Sequence, residues 1–242
     1  MPSDPMQILY LVLLQDSLIL GLTIFFFWAG VFVARGLGRP ASYGLGALGL
    51  ARPKPGYSAA AGLGLMVGVG ALIVSFLVVP LSTYVVEQLG YSADLTVQEP
   101  LMQGIQEWVG ENPETAIPAT VLVVVLFAPA VEEIIFRGAL FGGLYKLSAF
   151  LFGRLRKRSK GTDKAGEPVS FVLAALVSST AFAFLHLEPV LLPILLVLGV
   201  ALCAIYRRTG SLLSSFAAHA TFNSFAVLIM VLSGLGALPT QV

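Results

Sequence analysis

Charge is scarce in this 242-residue sequence: Asp, Glu, Lys and Arg make up 11% of it, against 57% hydrophobic residues and a mean hydropathy of +0.90. That balance excludes an ordinary soluble domain, in which about 25% of residues are charged. Cysteine is nearly absent. Cys203, the single one, rules out a disulfide within the chain, and its apolar surroundings read as those of a small buried hydrophobe. Histidine occurs only twice, and the soluble zinc-protease pattern H-E-x-x-H does not occur. Nor is there an internal repeat of the kind found in inverted-repeat transporters. Residues 1–6 lack the basic start of a signal peptide and no lipidation box is present, so the first apolar run is expected to remain as a span.

Two further absences carry topology. Residues 35–56, rich in Gly and Pro, hold Arg35, Arg39, Arg52 and Lys54 without one acid, whereas 87–118 hold Glu87, Asp94, Glu99, Glu107, Glu111 and Glu114 without one base. A second basic stretch follows Lys146, with Arg154, Arg156, Lys157, Arg158, Lys160 and Lys164, and a third is Arg207-Arg208. Between these loops the apolar runs predict about six transmembrane helices: 7–34, 57–86, 117–150, 169–187, a fifth ending at Tyr206, and 211–235. All fourteen basic residues except Arg137 then fall on one side, which the positive-inside rule makes cytoplasmic, with both termini outside. The expected fold class is an all-α polytopic membrane bundle, one domain over 1–242, with a core at 116–236 following two spans and an outward acidic loop in 1–115. That loop has room for a short amphipathic helix around 100–110, with Trp108 suited to the interface. Gly64 and Gly68, four apart in the second span, predict close helix packing rather than chemistry.

What is present inside the apolar runs is unusual. Glu132, Glu133 and Arg137 lie in the third span, where each ionisable group costs roughly 2.5–3.5 kcal/mol unless it is paired or faces a cavity. Four-residue spacing pairs Glu133 with Arg137 on one helix face, while Glu132 points about 100° away and is left without a local counter-ion. Pro129 should kink this helix or start it afresh, which would place both acids in a first turn. The two histidines are also in apolar segments: His186 ends Phe182-Ala183-Phe184-Leu185-His186, and His219 shares a helix face with Asn223. Asp16 in the first span reads either as part of a polar pathway or, preferably, as a group hydrogen-bonded to a neighbouring helix or reaching the interface.

One glutamate without a partner, two imidazoles and an amide can form a hydrolytic site if they converge. Glu132 would take a proton from water and return it to a leaving group. The imidazoles would either orient that water or, with Glu132, bind a divalent metal such as zinc, and Asn223 would donate to a developing oxyanion. The rival reading is a non-catalytic membrane protein, either a proton-coupled transporter or an immunity or scaffold protein, in which these groups only bridge helices. Depth is the obstacle to convergence. At 1.5 Å per residue His219 sits roughly 12 Å from the inner end of its span and His186 roughly 25 Å from the inner end of its own, so tilt, broken helices or shifted limits must reconcile them.

The order Glu132-Glu133-x-x-x-Arg137, Phe182-x-x-x-His186, His219-x-x-x-Asn223 resembles the CPBP family of intramembrane proteases, which includes type II CAAX prenyl endopeptidases and bacteriocin-processing proteins. The resemblance covers 126–224. It implies an intramembrane endopeptidase in which Glu132 activates water, His186 and His219 hold that water or a metal, Asn223 stabilises the oxyanion, and Glu133, Arg137 and Phe182 support them. It also implies a membrane-associated peptide or protein substrate, prenylated or not, in a lipid setting without nucleic acid. The expected location is the bacterial cytoplasmic membrane.

Overall fold

The computed structural model describes residues 5–38, 44–91, 99–159 and 166–238, and among these the fold is helical with no strand. Helix α1 spans Pro5–Gly36, α2 spans Tyr57–Gln88 and α3 spans Glu99–Glu111. The long α4 covers 113–159, α5 runs Gly166–Leu185, α6 Leu192–Thr209 and α7 Leu212–Gly234. Six of them, all but α3, are long and apolar enough to cross a membrane, so the protein is an integral membrane bundle. Arg39, Asp94, Lys160 and Lys164, each assigned above to a loop, lie outside the described residues.

Helix α3 occupies the stretch that had room for a short amphipathic helix. Its Ile105 and Val109 are buried with Val227 and Met230 of α7 and Leu9 of α1, while Glu107 and Glu111 are exposed. The paired glycines of α2 also behave as expected. Cβ atoms on Gly64 and Gly68 would run into the backbone oxygens of Ser214 and Ala218, so α2 and α7 pack backbone to backbone. Lipid supplies no hydrophobic drive between helices, and such close approach is what replaces it.

Helix α4 departs from expectation. It does not restart at Pro129. Ordinary α-helix at Pro113–Thr120 widens to π-helix over Val121–Phe127, returns to α over Ala128–Glu132, widens again over Glu133–Phe141 and ends as α over Gly142–Ser159. The residues flanking each junction keep right-handed helical dihedrals, so Glu132 and Glu133 lie inside a continuous helix and not in a first turn. Pro129 lacks a backbone N–H, and the π turn before it, with i→i+5 bonding, absorbs that missing donor without a break.

The basic loop 44–56 is packed into the bundle rather than lying free. A single 3-10 turn, Leu45–Leu48, buries Leu48 against Gly138 of α4, where a side chain larger than glycine has no room. The Gly49 carbonyl accepts from Leu212 N at 3.0 Å, and Lys54 N donates to the Thr209 carbonyl at 2.9 Å. Arg207 meets Glu167 at 3.5 Å. These contacts gather Lys54, Arg207 and the start of α5 at one end of the bundle.

Candidate functional site

The site is built on the two helical stretches that surround Glu133. Arg137 and Glu133 are both fully buried and form an ion pair at 2.8 Å, the pairing that their spacing predicts. The same Glu133 oxygen, Oε1, accepts from His219 Nδ1 at 3.0 Å. A carboxylate tied to a guanidinium can only accept, so His219 carries its proton on Nδ1 and its Nε2 is directed elsewhere. It points toward Glu132, whose Oε2 lies 3.7 Å away. Glu132 is the less enclosed of the two acids, with a side chain 21% exposed, and its Oε2 has no hydrogen-bond partner.

The remaining motif residues reach this core indirectly. The ring of Phe182, wholly buried, meets His219 edge to face at 5.4 Å and His186 at 4.7 Å, and Arg137 stacks over it at 4.3 Å. Phe182 is therefore the common neighbour through which the two imidazoles and the guanidinium are held. His186 is the first residue beyond α5, and its Nδ1 donates to the Phe182 carbonyl at 2.8 Å. That bond satisfies an otherwise orphan carbonyl at the helix end and leaves Nε2 free. Leu187 follows in a left-handed conformation, φ 54°, which turns the chain sharply away after the histidine. Asn223 shares the inward face of α7 with His219, as expected, and donates to the Val124 carbonyl at 3.1 Å. Val124 lies in the first π stretch, where the wider turn frees a carbonyl from its usual helical partner. Ser178 of α5 similarly donates to the Phe136 carbonyl in the second π stretch at 2.8 Å.

Thus the structure brings Glu132, Glu133, Arg137 and His219 together, ties Asn223 of α7 to the Val124 carbonyl of α4, and places His186 across the Phe182 ring. Among the described residues no hydrogen bond joins His186 to either glutamate or to His219. The expected difference in depth is bridged by Phe182, which contacts both rings, rather than by direct meeting of the imidazoles. The ligand set suggested for a metal, Glu132, His186 and His219, is not assembled here: among the described residues no three or more His, Cys, Asp or Glu side chains are grouped so that they could hold a metal ion.

The sequence reading understated Asp16. On α1 it is buried with Leu9 and Val31 among the described residues, and is 8% exposed. Its Oδ2 has no partner, and its helix packs against the 128–132 turn that carries Glu132. An acid set in the middle of an apolar span, seven residues from buried Leu9 on the same helix face, is the signal that could have shown this.

Residues 114–225 match the family model described as type II CAAX prenyl endopeptidase, Rce1-like. Among curated proteins the chain is 28% identical over 116 residues to YdiL of Bacillus subtilis (strain 168), a provisional membrane peptidase; the match covers 48% of this chain and 39% of that protein. It is 27% identical over 117 residues to the membrane-embedded CAAX protease MroQ of Staphylococcus aureus (strain USA300), covering 48% and 41%. The match thus spans about two fifths of the length of these curated relatives. No solved structure matches the chain. The matched segment encloses every motif residue from Glu132 to Asn223, together with both π stretches, so this part of the chain is similar to the type II CAAX prenyl endopeptidase, Rce1-like family.

Proposed function

We propose that this protein is an intramembrane endopeptidase that hydrolyses a peptide bond of a membrane-associated substrate, with Glu132 activating the attacking water. The observation that carries this reading is the pairing of Glu132 Oε2 with His219 Nε2 at 3.7 Å, while Glu133 fixes the far nitrogen of the same imidazole. Both atoms can hold one water between them, so the water is positioned by an imidazole and deprotonated by a carboxylate. Glu132 takes a proton as the water oxygen bonds to the carbonyl carbon. It returns that proton to the amide nitrogen as the C–N bond breaks.

The developing oxyanion needs donors. An Asn amide has two N–H bonds, and Asn223 spends one on Val124, which orients the other. His186, with Nδ1 bound to its own helix, is held at the opposite wall by Phe182. Arg137 and Glu133 act through His219 and through the Phe182 ring, and are positioning residues in this scheme. No step is routed through a metal, because the donors present are not grouped as a ligand set. A divalent metal remains a separate option, and metal analysis of purified protein before and after chelation decides it: retained cleavage after complete chelation supports the carboxylate route.

The test of the activity itself is cleavage of quenched fluorescent peptides by detergent-solubilised protein. Wild type should cleave and Glu132→Ala should not, with both eluting as folded protein. Cleavage by Glu132→Ala at the wild-type rate would refute the assignment. Absence of cleavage in wild type across prenylated and unprenylated peptides would favour the non-catalytic reading.

A further inference from the structure

The acids at this site outnumber the cations. Glu132 and Glu133 share α4 with Arg137, which pairs with Glu133, and Asp16 lies on α1, which packs against the turn that carries Glu132. His219 can offset one further charge, and its position serves Glu132. Asp16 is then the acid without a protein counter-ion, more than nine-tenths buried, with an oxygen that has no partner, on the face of α1 that packs against the 128–132 turn carrying Glu132. Helix α1 is otherwise clothed in exposed apolar side chains, including Leu11, Leu14, Leu18, Leu22, Phe25 and Phe26. An acid turned inward from such a helix is costly unless something donates to it.

We propose that Asp16 is a specificity-determining residue that receives a cationic N–H group of the substrate beside the scissile bond. The inference rests on the hydrolase reading and adds a substrate class to it: peptides that present a positive charge at the site. Two chemical sources of that charge fit equally, a Lys or Arg side chain flanking the cleaved bond and a free N-terminal amine. In either case the unpartnered carboxylate oxygen gains a charge-assisted hydrogen bond, the strong class of such bonds.

The test uses matched quenched peptides with the full-length protein. One set is N-acetylated and carries Arg, Lys, Gln or Glu at positions flanking the scissile bond; another is neutral along its length with a free amine. Wild type should show a kcat/KM for the Arg and Lys peptides at least about tenfold above the Gln peptide, carried mainly by KM, and lowest for Glu. A preference confined to the free-amine peptide would assign the same carboxylate to the terminal ammonium. Asp16→Asn should collapse the basic-to-neutral ratio, and Asp16→Glu should restore it. Equal kcat/KM for Arg, Gln and Glu peptides in wild type overturns the inference without any variant. Binding of uncleaved Arg and Gln peptides to Glu132→Gln gives a second readout that does not need turnover. Charge-selective binding without cleavage by wild type would sink the hydrolase reading and keep Asp16, whereas cleavage without charge selectivity would do the reverse.

Discussion

At the scale of single residues, the site separates two adjacent glutamates by what each one touches. Glu133 is closed in by Arg137 and His219 and has no exposure, while Glu132 keeps an unpartnered oxygen toward the space beside His219. Their substitution should therefore differ in kind. Glu132→Ala should leave the thermal transition of the detergent-solubilised protein close to wild type while eliminating cleavage. Arg137→Ala strands Glu133 without its counter-ion and should cost about 3–5 kcal/mol, read as a lower unfolding midpoint. Equal loss of folded protein in both would contradict the division. Phe182→Ala belongs here too. The ring contacts Phe136, His186, His219 and Arg137, so its removal should destabilise by about 3–5 kcal/mol and disturb both imidazoles, seen as lost cleavage even under conditions where the variant stays folded.

At the scale of elements, α4 carries the chemistry because it is not uniformly α-helical. The π stretches at Val121–Phe127 and Glu133–Phe141 release the Val124 and Phe136 carbonyls, which Asn223 and Ser178 then bind. Deleting Leu122, an exposed residue of the first stretch, should let that turn relax to α-helix and rotate 113–121 by about 100° relative to Glu132. The expected result is preserved helix content by circular dichroism with a lower melting temperature and no cleavage. The α2–α7 contact is a second element-scale device. Gly68→Leu cannot be accommodated against the Ala218 carbonyl without separating the helices that position His219, and should cost about 1–3 kcal/mol or more. An unchanged melting temperature would show that the two backbones are not in such contact.

At the scale of the whole molecule, the bundle sorts charge by end. Lys54, Arg207 and the beginning of α5 meet at one end, and the acids of α3 lie toward the other, beyond the packed Ile105 and Val109. We propose that the basic end is cytoplasmic and that the outer ends of α1 and α7 face away from it. Cys203 is buried, so a Cys203→Ser background is not required for labelling, though it removes any residual signal. A cysteine at Glu107 should react with a membrane-impermeant thiol reagent in intact cells, and one at Lys54 should react only after lysis. The opposite pattern would invert the assigned orientation.

Much of this arrangement was readable along the chain. Hydropathy determined the six spans, because a bilayer sorts residues by transfer cost one segment at a time. The Glu133–Arg137 pair and the shared face of His219 and Asn223 followed from helical spacing alone. Contacts between segments did not. The use of one imidazole by both glutamates, the Phe182 ring as the link between the two histidines, the π register that replaced a break at Pro129, and the inward turn of Asp16 depend on how helices distant in sequence pack, and lipid-exposed runs of Leu, Val and Phe carry no periodic mark of which face turns inward. Local spacing determined which polar groups exist and which could pair within a turn; only the tertiary structure decided which of them meet, since that depends on interhelical distances that no single helix specifies.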